Sequence, residues 1–107
     1  MADCIFCKIL AGEIPSDFLY EDSECVVFKD IAPKASTHLL VVPKQHIESV
    51  MTLEDSDQDL MGHLLLVCRD VAKKIGLAGY SLQVNAGKGG GQEVFHFHIH
   101  LLSKFES

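Results

Sequence analysis

The apolar positions between residues 56 and 75 recur every three or four residues, which predicts one long amphipathic helix. We expect Ser56 to cap its start and Gly76 to end it, because helices favour a hydroxyl residue before the first turn and glycine after the last. The predicted apolar face consists of Leu60, Met61, Leu64, Leu65, Cys68, Val71, Ala72 and Ile75. This helix is the longest element that the pattern predicts.

Short runs rich in aromatic and β-branched residues predict five strands. The runs "FLYED" and "CVVFKD" flank a turn-like "DSE" and predict an antiparallel hairpin, and "HLLVVP" is apolar enough for burial on both faces. The last two runs, "YSLQVNAG" and "EVFHFHIHLLS", are joined by "KGGGQ". A short helix through "CIFCKILAG", capped by Asp3 and ended by Gly12 and Pro15, precedes them all. This order predicts a single α+β domain over residues 1–107, with a mainly antiparallel sheet.

Composition and charge narrow the class of protein. Of 107 residues, 48% are hydrophobic and 22% are charged, which favours a globular chain over a disordered one. The formal net charge of −6 argues against a nucleic-acid partner, since such proteins neutralise phosphates with clustered lysine and arginine. The sequence has no apolar run of about 20 residues and no signal-peptide pattern, so we expect no membrane partner and a cytoplasmic location. The four cysteines form one close pair and two isolated positions, which is not a disulfide framework.

Three histidines alternate with apolar residues in "EVFHFHIHLLS". Because side chains alternate across a strand, we expect His96, His98 and His100 on one open face, with neighbouring Cα atoms about 6.6 Å apart. The apolar side chains expected on the face toward the long helix are Phe95, Phe97, Ile99 and Leu101. The histidines could simply be polar positions on a half-exposed strand. The two chemical hypotheses are a nucleophile with acid–base neighbours and a metal site built on a strand.

The pair Cys4 and Cys7 in "CIFC" has the spacing that supplies half of a tetrahedral zinc site. Two more ligands must come from elsewhere, and His46 in "PKQH" and His96 are candidates. The simpler interpretation is two small apolar residues on a helix. A redox pair is disfavoured, because the chain lacks the strand–helix order in which such pairs occur.

The glycine-rich "NAGKGGGQ" precedes the histidine segment and can aim backbone N–H groups at an anion, although alone it indicates only a flexible loop. Asp30 follows "CVVFK" and could accept hydrogen bonds from sugar hydroxyls. His63 lies on the long helix and has no assigned role. The loop beside a histidine face predicts a phosphate site.

The segment "HFHIHLL" resembles the signature of the histidine triad family, in which three histidines alternate with apolar residues. The resemblance covers nearly all 107 residues, because "IFCKILAGEIPS", "VFKDIAPKASTHLLVVPKQHI", "GHLL", "VNAG" and "GGQEVFHFHIHLL" occur in the order of its nucleotide-binding, phosphoramidase-like branch. It implies an α+β homodimer in which the long helices and neighbouring strands meet to form one continuous sheet. It also implies a nucleotidyl hydrolase or transferase that acts on nucleoside monophosphates linked to an amine or another leaving group. Our leading prediction is hydrolysis of purine nucleoside 5′-phosphoramidates, such as adenosine 5′-phosphoramidate.

The resemblance implies a role for each site residue. His98 would attack the α-phosphorus and form a nucleotidyl-histidine intermediate that water then hydrolyses, and His100 would bind phosphate oxygens, with no metal needed for the chemistry. The purine pocket would be formed by Ile5, Phe6, Ile9, Phe28 and Ile31, with Asp30 at the ribose hydroxyls. The phosphate and leaving group would lie at Asn85, Gly91, Gln92 and Glu93. A carboxylate repels phosphate, so the backbone N–H of Glu93 is the expected contact.

A subset of the family, and the related galactose-1-phosphate uridylyltransferases, hold a structural zinc through a cysteine pair and two histidines. Cys4, Cys7, His46 and His96 match that set, with His38 as the alternative to His46. One zinc per chain would then tie the N-terminal helix to the histidine strand.

Three other functions stay open at this point. They are hydrolysis of dinucleoside polyphosphates, a nucleotide-binding interaction module with incidental turnover, and a catalytic metal site made by the histidines. The middle histidine, His98, argues against a pure binding module, because binding alone needs no nucleophile.

Overall fold

The computed structural model describes residues 4–104, and in that range the chain forms one five-stranded antiparallel sheet. The elements are α1 (Ile5–Leu10), β1 (Tyr20–Glu21), β2 (Cys25–Lys29), β3 (Thr37–Pro43), α2 (Gln58–Lys74), β4 (Ser81–Gln83) and β5 (Ile99–Ser103). Short 3₁₀ helices span Val50–Thr52, Asp55–Asp57 and Lys88–Gly90. The strands lie in the order β1-β2-β3-β5-β4. This sheet, with one long helix and one short N-terminal helix, confirms the predicted fold class.

No helix in the described range is long and apolar enough to cross a membrane.

The larger apolar cluster lies between α2 and one face of the sheet. The helix buries Leu64, Val67, Cys68, Val71 and Ala72 against sheet residues that include Val27, Leu39, Val41, Ile99 and Leu101. The prediction that Leu65 and Ile75 belong to this face is wrong, because their exposed fractions are 53% and 41%. Leu65 is rotated about 100° from Leu64, which places it at the edge of the stripe, and Ile75 is already the C-cap.

The opposite face of the sheet is covered by α1. Phe6 from that helix packs with Val26, Phe28, Leu40 and Val42, which alternate along β2 and β3 with the residues that face α2. Burial on both faces explains the continuous apolar run of β3. The short helix therefore lies on the face of the sheet opposite α2.

The strand β5 begins later than the sequence pattern predicts, and His96 and His98 precede it. The backbone N–H of Phe97 donates to the carbonyl of Ile47 at 2.6 Å, so this segment pairs with a loop and not with β4. The alternation nevertheless continues, because Phe97 belongs to the cluster under α2. Phe95 does not pack on that helix as predicted and is 37% exposed, because the chain bends before the strand starts.

The helix ends differ from the prediction at two caps. Ser56 lies within the 3₁₀ turn that precedes α2, and Asp57 is the N-cap residue. Asp3 lies outside the described residues, and Cys4 caps α1 with its sulfur accepting from the backbone N–H of Cys7. Gly76 follows α2 with a φ of +82°, as expected of a residue that ends a helix.

Candidate functional site

A cavity of about 390 Å³ lies on the α1 side of the sheet. Most of the residues expected at a nucleotide site line it, namely Ile5, Phe6, Ile9, Phe28, Asp30, Ile31, Asn85, Gly91, Glu93, His98 and His100. Ile31 is 97% exposed and forms part of the rim, whereas Phe6 and Phe28 are buried. Their rings meet edge to face with centroids 5.7 Å apart. One end of the cavity is therefore apolar and aromatic, which suits a flat heterocycle.

His98 is held in one tautomer by the main chain. Its Nδ1 lies 2.7 Å from the carbonyl oxygen of His96, and because a carbonyl only accepts, Nδ1 carries the proton. The lone pair is then on Nε2. Burial is the main cause that lowers the pKa of His98, so the ring stays neutral at physiological pH. A neutral, oriented imidazole at the wall of a cavity is suited to nucleophilic attack.

His100 is held in the opposite tautomer through His38. The backbone N–H of Lys34 donates to Nδ1 of His38 at 3.1 Å, so a neutral His38 carries its proton on Nε2. That Nε2 lies 2.9 Å from Nδ1 of His100, which must accept and therefore leaves the His100 proton on Nε2. Burial is again the main cause that lowers the pKa of His100, to about 4, with His98, His38, Asp30 and Lys34 as its charged or titratable neighbours. The two neighbouring rings thus offer one acceptor and one donor.

Asp30 stands next to this chain of histidines. Its Oδ1 accepts from the backbone N–H of Ala32 at 2.9 Å, and its Oδ2 lies 3.4 Å from Nε2 of His38. The carboxylate lines the cavity and is one-fifth exposed, so it can still accept hydrogen bonds from a ligand.

Asp30, His38 and His100 also lie close enough together to hold a metal ion. A metal on Nε2 of His38 would require the proton on Nδ1, where the N–H of Lys34 already donates. Two donors would then face each other. The hydrogen bonds therefore favour a proton-ordered chain over a metal ion at this group. The catalytic metal site considered from the sequence would use His96, His98 and His100, and these three do not form such a group in residues 4–104.

Gln92 differs from the other expected site residues, because it does not line the cavity. It is buried, its Oε1 accepts from the N–H of Gly87, and its Nε2 donates to the carbonyls of Glu48 and Val94. Gly87 and Gly91 both have positive φ, at +71° and +84°. Gln92 thus fixes the glycine loop from within.

Four possible metal ligands meet beside the cavity. Nδ1 of His96 lies 3.4 Å from Sγ of Cys4 and 3.6 Å from Sγ of Cys7, and Nδ1 of His46 lies 3.2 Å from Sγ of Cys7. Zinc bonds of about 2.0–2.3 Å place tetrahedral ligands roughly 3.3–3.8 Å apart. The two separations from His96, 3.4 Å and 3.6 Å, lie in this range, and the 3.2 Å separation from His46 lies just below it. His96 donates from Nε2 to the carbonyl of Pro43, which leaves Nδ1 free to coordinate. These residues could hold a metal ion.

His38, the alternative third histidine, lies in the cavity and not in this cysteine cluster. Sequence reasoning missed its contact with His100, and it also missed Lys34 and Gln83 on the cavity wall. These residues carry no motif. His38 and Gln83 reach His100 only through the pairing of β3 and β4 with β5, and Lys34 through its backbone N–H on His38. His63 pairs with Asp22 at 2.7 Å, away from the cavity.

Known proteins resemble the chain over nearly its whole length. A family model described as the C-terminal binding domain of the scavenger mRNA decapping enzyme matches residues 3–107. Protein HitA of Neisseria gonorrhoeae is 50% identical over 103 residues, which are 95% of this chain and 96% of that protein. The HIT family hydrolase of Legionella pneumophila has a TM-score of 0.93 and 43% identity, with 97% of this chain and 95% of that one covered. A Histidine Triad Protein from Clostridium difficile has a TM-score of 0.94 and 42% identity, with 100% and 95% covered.

The chain belongs to the histidine triad family.

The structural neighbours of this histidine triad protein include family members described as hydrolases, which supports a hydrolase here as well. The triad histidines do not act as one equivalent cluster. His96 turns its Nδ1 toward the cysteines, His98 has its lone pair on Nε2, and His100 has its proton there.

Proposed function

We propose that this protein is a purine-nucleotide-binding hydrolase that cleaves nucleoside 5′-phosphoramidates through a nucleotidyl-histidine on His98. The observation that carries the proposal is the fixed tautomer of His98, whose Nε2 lone pair belongs to a ring that lines the cavity. The base would lie among the apolar residues around Phe6 and Phe28, and the ribose hydroxyls would donate to Asp30. The phosphate would then lie between His98 and the glycine loop.

The reaction has two displacements at phosphorus. The Nε2 lone pair of His98 forms a bond to the α-phosphorus while the bond to the amine breaks, and the amine takes a proton from water. Water then attacks the same phosphorus and gives a proton to the hydroxide left by the first step. The bond to His98 breaks with its electron pair returning to Nε2, and the nucleoside monophosphate leaves. The Nε2–H of His100 donates to a phosphate oxygen throughout, which stabilises the charge that develops there.

Removal of the nucleophile tests this function. We expect His98→Ala to lower the turnover of adenosine 5′-phosphoramidate at least about 1,000-fold, since loss of a nucleophile removes the covalent route. His63→Ala is the matched control, because it removes a histidine that does not line the cavity. Equal release of AMP by the His98 variant and the wild type would rule out the assigned nucleophile. Competition with a dinucleoside polyphosphate in the same assay identifies the preferred substrate.

We also propose that zinc occupies the cysteine cluster as a closed, structural site, since two thiolates and two imidazoles are a common zinc ligand set. Cys4, Cys7, His46 and His96 would hold it, one ion per chain. Elemental analysis of protein made with zinc available should find about one zinc per chain. A content far below that would refute the site.

We further propose a homodimer built on the free edge of β4. This strand pairs with β5 on one side and is the last strand of the sheet in the described range. Leu82 and Val84 at this edge are 39% and 40% exposed, and Leu66 on α2 is 50% exposed. Pairing with a second copy would cover them. Light scattering should show a dimer for the wild type and a monomer for Leu82→Glu, and a monomeric wild type would refute the proposal.

A further inference from the structure

His96 belongs to two sites at once. Its side chain places Nδ1 within 3.4 Å and 3.6 Å of the sulfurs of Cys4 and Cys7. Its main-chain carbonyl, at the same residue, accepts the Nδ1 proton of His98 at 2.7 Å. Any change in the backbone of His96 therefore changes the bond that fixes the tautomer of His98.

The helix α1 makes a second connection between the same two sites. Cys4 caps this helix and Cys7 lies within it, and between them stands Phe6. The Phe6 ring packs edge-on against His96 and His98, with centroids 5.8 Å and 5.1 Å apart. The residues that flank the cysteines thus form the apolar end of the nucleotide cavity.

The helix α1 is too short to be stable by itself, because it has only six residues and isolated helices need about 12–15. Its attachment depends on the apolar contacts of Phe6, Ile9 and Leu10 and on the two cysteines. The histidine nitrogens near those sulfurs are ligand atoms, and His96 has its only ring proton on the opposite nitrogen. Without a cation in the cluster, only weak thiol hydrogen bonds connect the two cysteines to the histidine nitrogens, and α1 is held mainly by its apolar contacts.

We propose that His96 and α1 couple the metal occupancy of the cysteine cluster to the nucleotide cavity, so that loss of the metal weakens nucleotide binding and frees the His98 ring. This inference rests on the proposed nucleotide function, and on the fit of the cluster to a metal. The cluster would then control nucleotide binding and the orientation of His98, in addition to stabilising the fold.

The test compares one protein preparation in three states: zinc-loaded, stripped with a chelator under reducing conditions, and refilled with zinc. Calorimetry measures AMP affinity, and nitrogen-15 spectra of the imidazoles report the tautomer of His98. We expect at least about tenfold weaker AMP binding in the stripped protein, a mixed tautomer for His98, and recovery of both on refilling. His46→Ala should reproduce the stripped state, since His46 does not line the nucleotide cavity.

Cys68→Ala is the matched control, because Cys68 is a fully buried core thiol that belongs to none of the possible metal groups in the described residues. It should leave AMP affinity unchanged even where it lowers the melting temperature. Equal AMP affinity and unchanged His98 shifts in the loaded and stripped states would overturn the coupling. It would also be overturned if the amide signals of α2 collapsed together with those of α1, because the loss would then be global unfolding.

The readouts separate this inference from the function on which it rests. If the zinc-loaded protein binds no AMP but His98 changes tautomer on stripping, the coupling is supported and the nucleotide function fails. If AMP binds equally in all three states, the nucleotide function is supported and the coupling fails.

Discussion

Replacement of His38 by phenylalanine tests whether the hydrogen-bond chain sets the chemistry of His100. The variant keeps a flat ring but removes the Nε2–H that lies 2.9 Å from Nδ1 of His100. That Nδ1 then becomes a buried acceptor without a donor, which costs roughly 1–3 kcal/mol. His100 can avoid the cost by moving its proton to Nδ1, but it then has no proton on Nε2 for the phosphate.

His100 can still keep its proton on Nε2 if it bears the cost of the unpaired Nδ1. That cost is therefore the upper limit of the increase in the activation free energy. At about 1.4 kcal/mol for each factor of ten, 1–3 kcal/mol corresponds to a kcat roughly 5- to 150-fold lower. The assay is steady-state release of AMP from adenosine 5′-phosphoramidate, with a melting curve to show that the variant is folded.

His38→Gln is the matched control, because a glutamine amide places an N–H close to the position of the histidine Nε2. We expect it to restore most of the lost kcat. A folded His38→Phe protein with kcat within about twofold of the wild type would contradict the role of His38 in setting the tautomer of His100. That role would also be refuted if the glutamine and phenylalanine variants were equally slow.

Three further predictions concern stability, and urea unfolding measures each of them. Burial lowers the pKa of His100 from 6.5 to about 4, so below pH 6.5 the unfolded chain binds more protons than the folded one. The free energy of unfolding should therefore fall as the pH drops from 6.5 to 4. His100→Gln should reduce that slope, and an unchanged slope would contradict the burial argument. Asp22→Asn should lower the free energy of unfolding by about 2 kcal/mol, because Asp22 accepts a hydrogen bond from Tyr20 and pairs with His63. A loss below about 0.5 kcal/mol would show that these two contacts do not stabilise the fold. Gln92→Leu should cost about 2 kcal/mol, because the buried N–H of Gly87 and the part-buried carbonyls of Glu48 and Val94 lose their partner. A neutral effect would show that water replaces the amide.

The stabilisation that Asp22 provides also depends on pH, because its pKa is lowered in the folded protein. Its hydrogen bonds with backbone N–H groups, Tyr20 and His63 outweigh the opposing effect of burial. Because its pKa is lower in the folded state, its contribution is present at neutral pH and is lost as the pH falls below the ordinary range of aspartate.

Periodicity along the chain was sufficient to predict the order of elements but not their ends. The apolar stripe of α2 is long and regular, so the helix is visible in the sequence. The start of β5 is not, because it depends on the bond from Phe97 to Ile47, about 50 residues earlier in the chain. Tertiary hydrogen bonds thus decide where local patterns stop.

In the candidate site, too, local sequence patterns identified the residues, whereas tertiary hydrogen bonds decide their chemical state. Spacing and the family resemblance indicated the cysteine pair and the triad, since these residue types in close sequence have few structural explanations. The tautomers could not be predicted, because they depend on the carbonyl of His96 and on a contact between residues 62 positions apart, His38 and His100. The place of Gln92 outside the cavity wall was equally hidden, since its partners are main-chain groups.

The stereochemical course at phosphorus tests the central claim most directly. A substrate whose α-phosphorus is made chiral with sulfur and oxygen isotopes reports whether displacement occurs once or twice. Attack by His98 followed by attack of water inverts the centre twice, so the account predicts overall retention of configuration. Overall inversion would mean that water attacks the substrate directly, and it would contradict a nucleotidyl intermediate on His98.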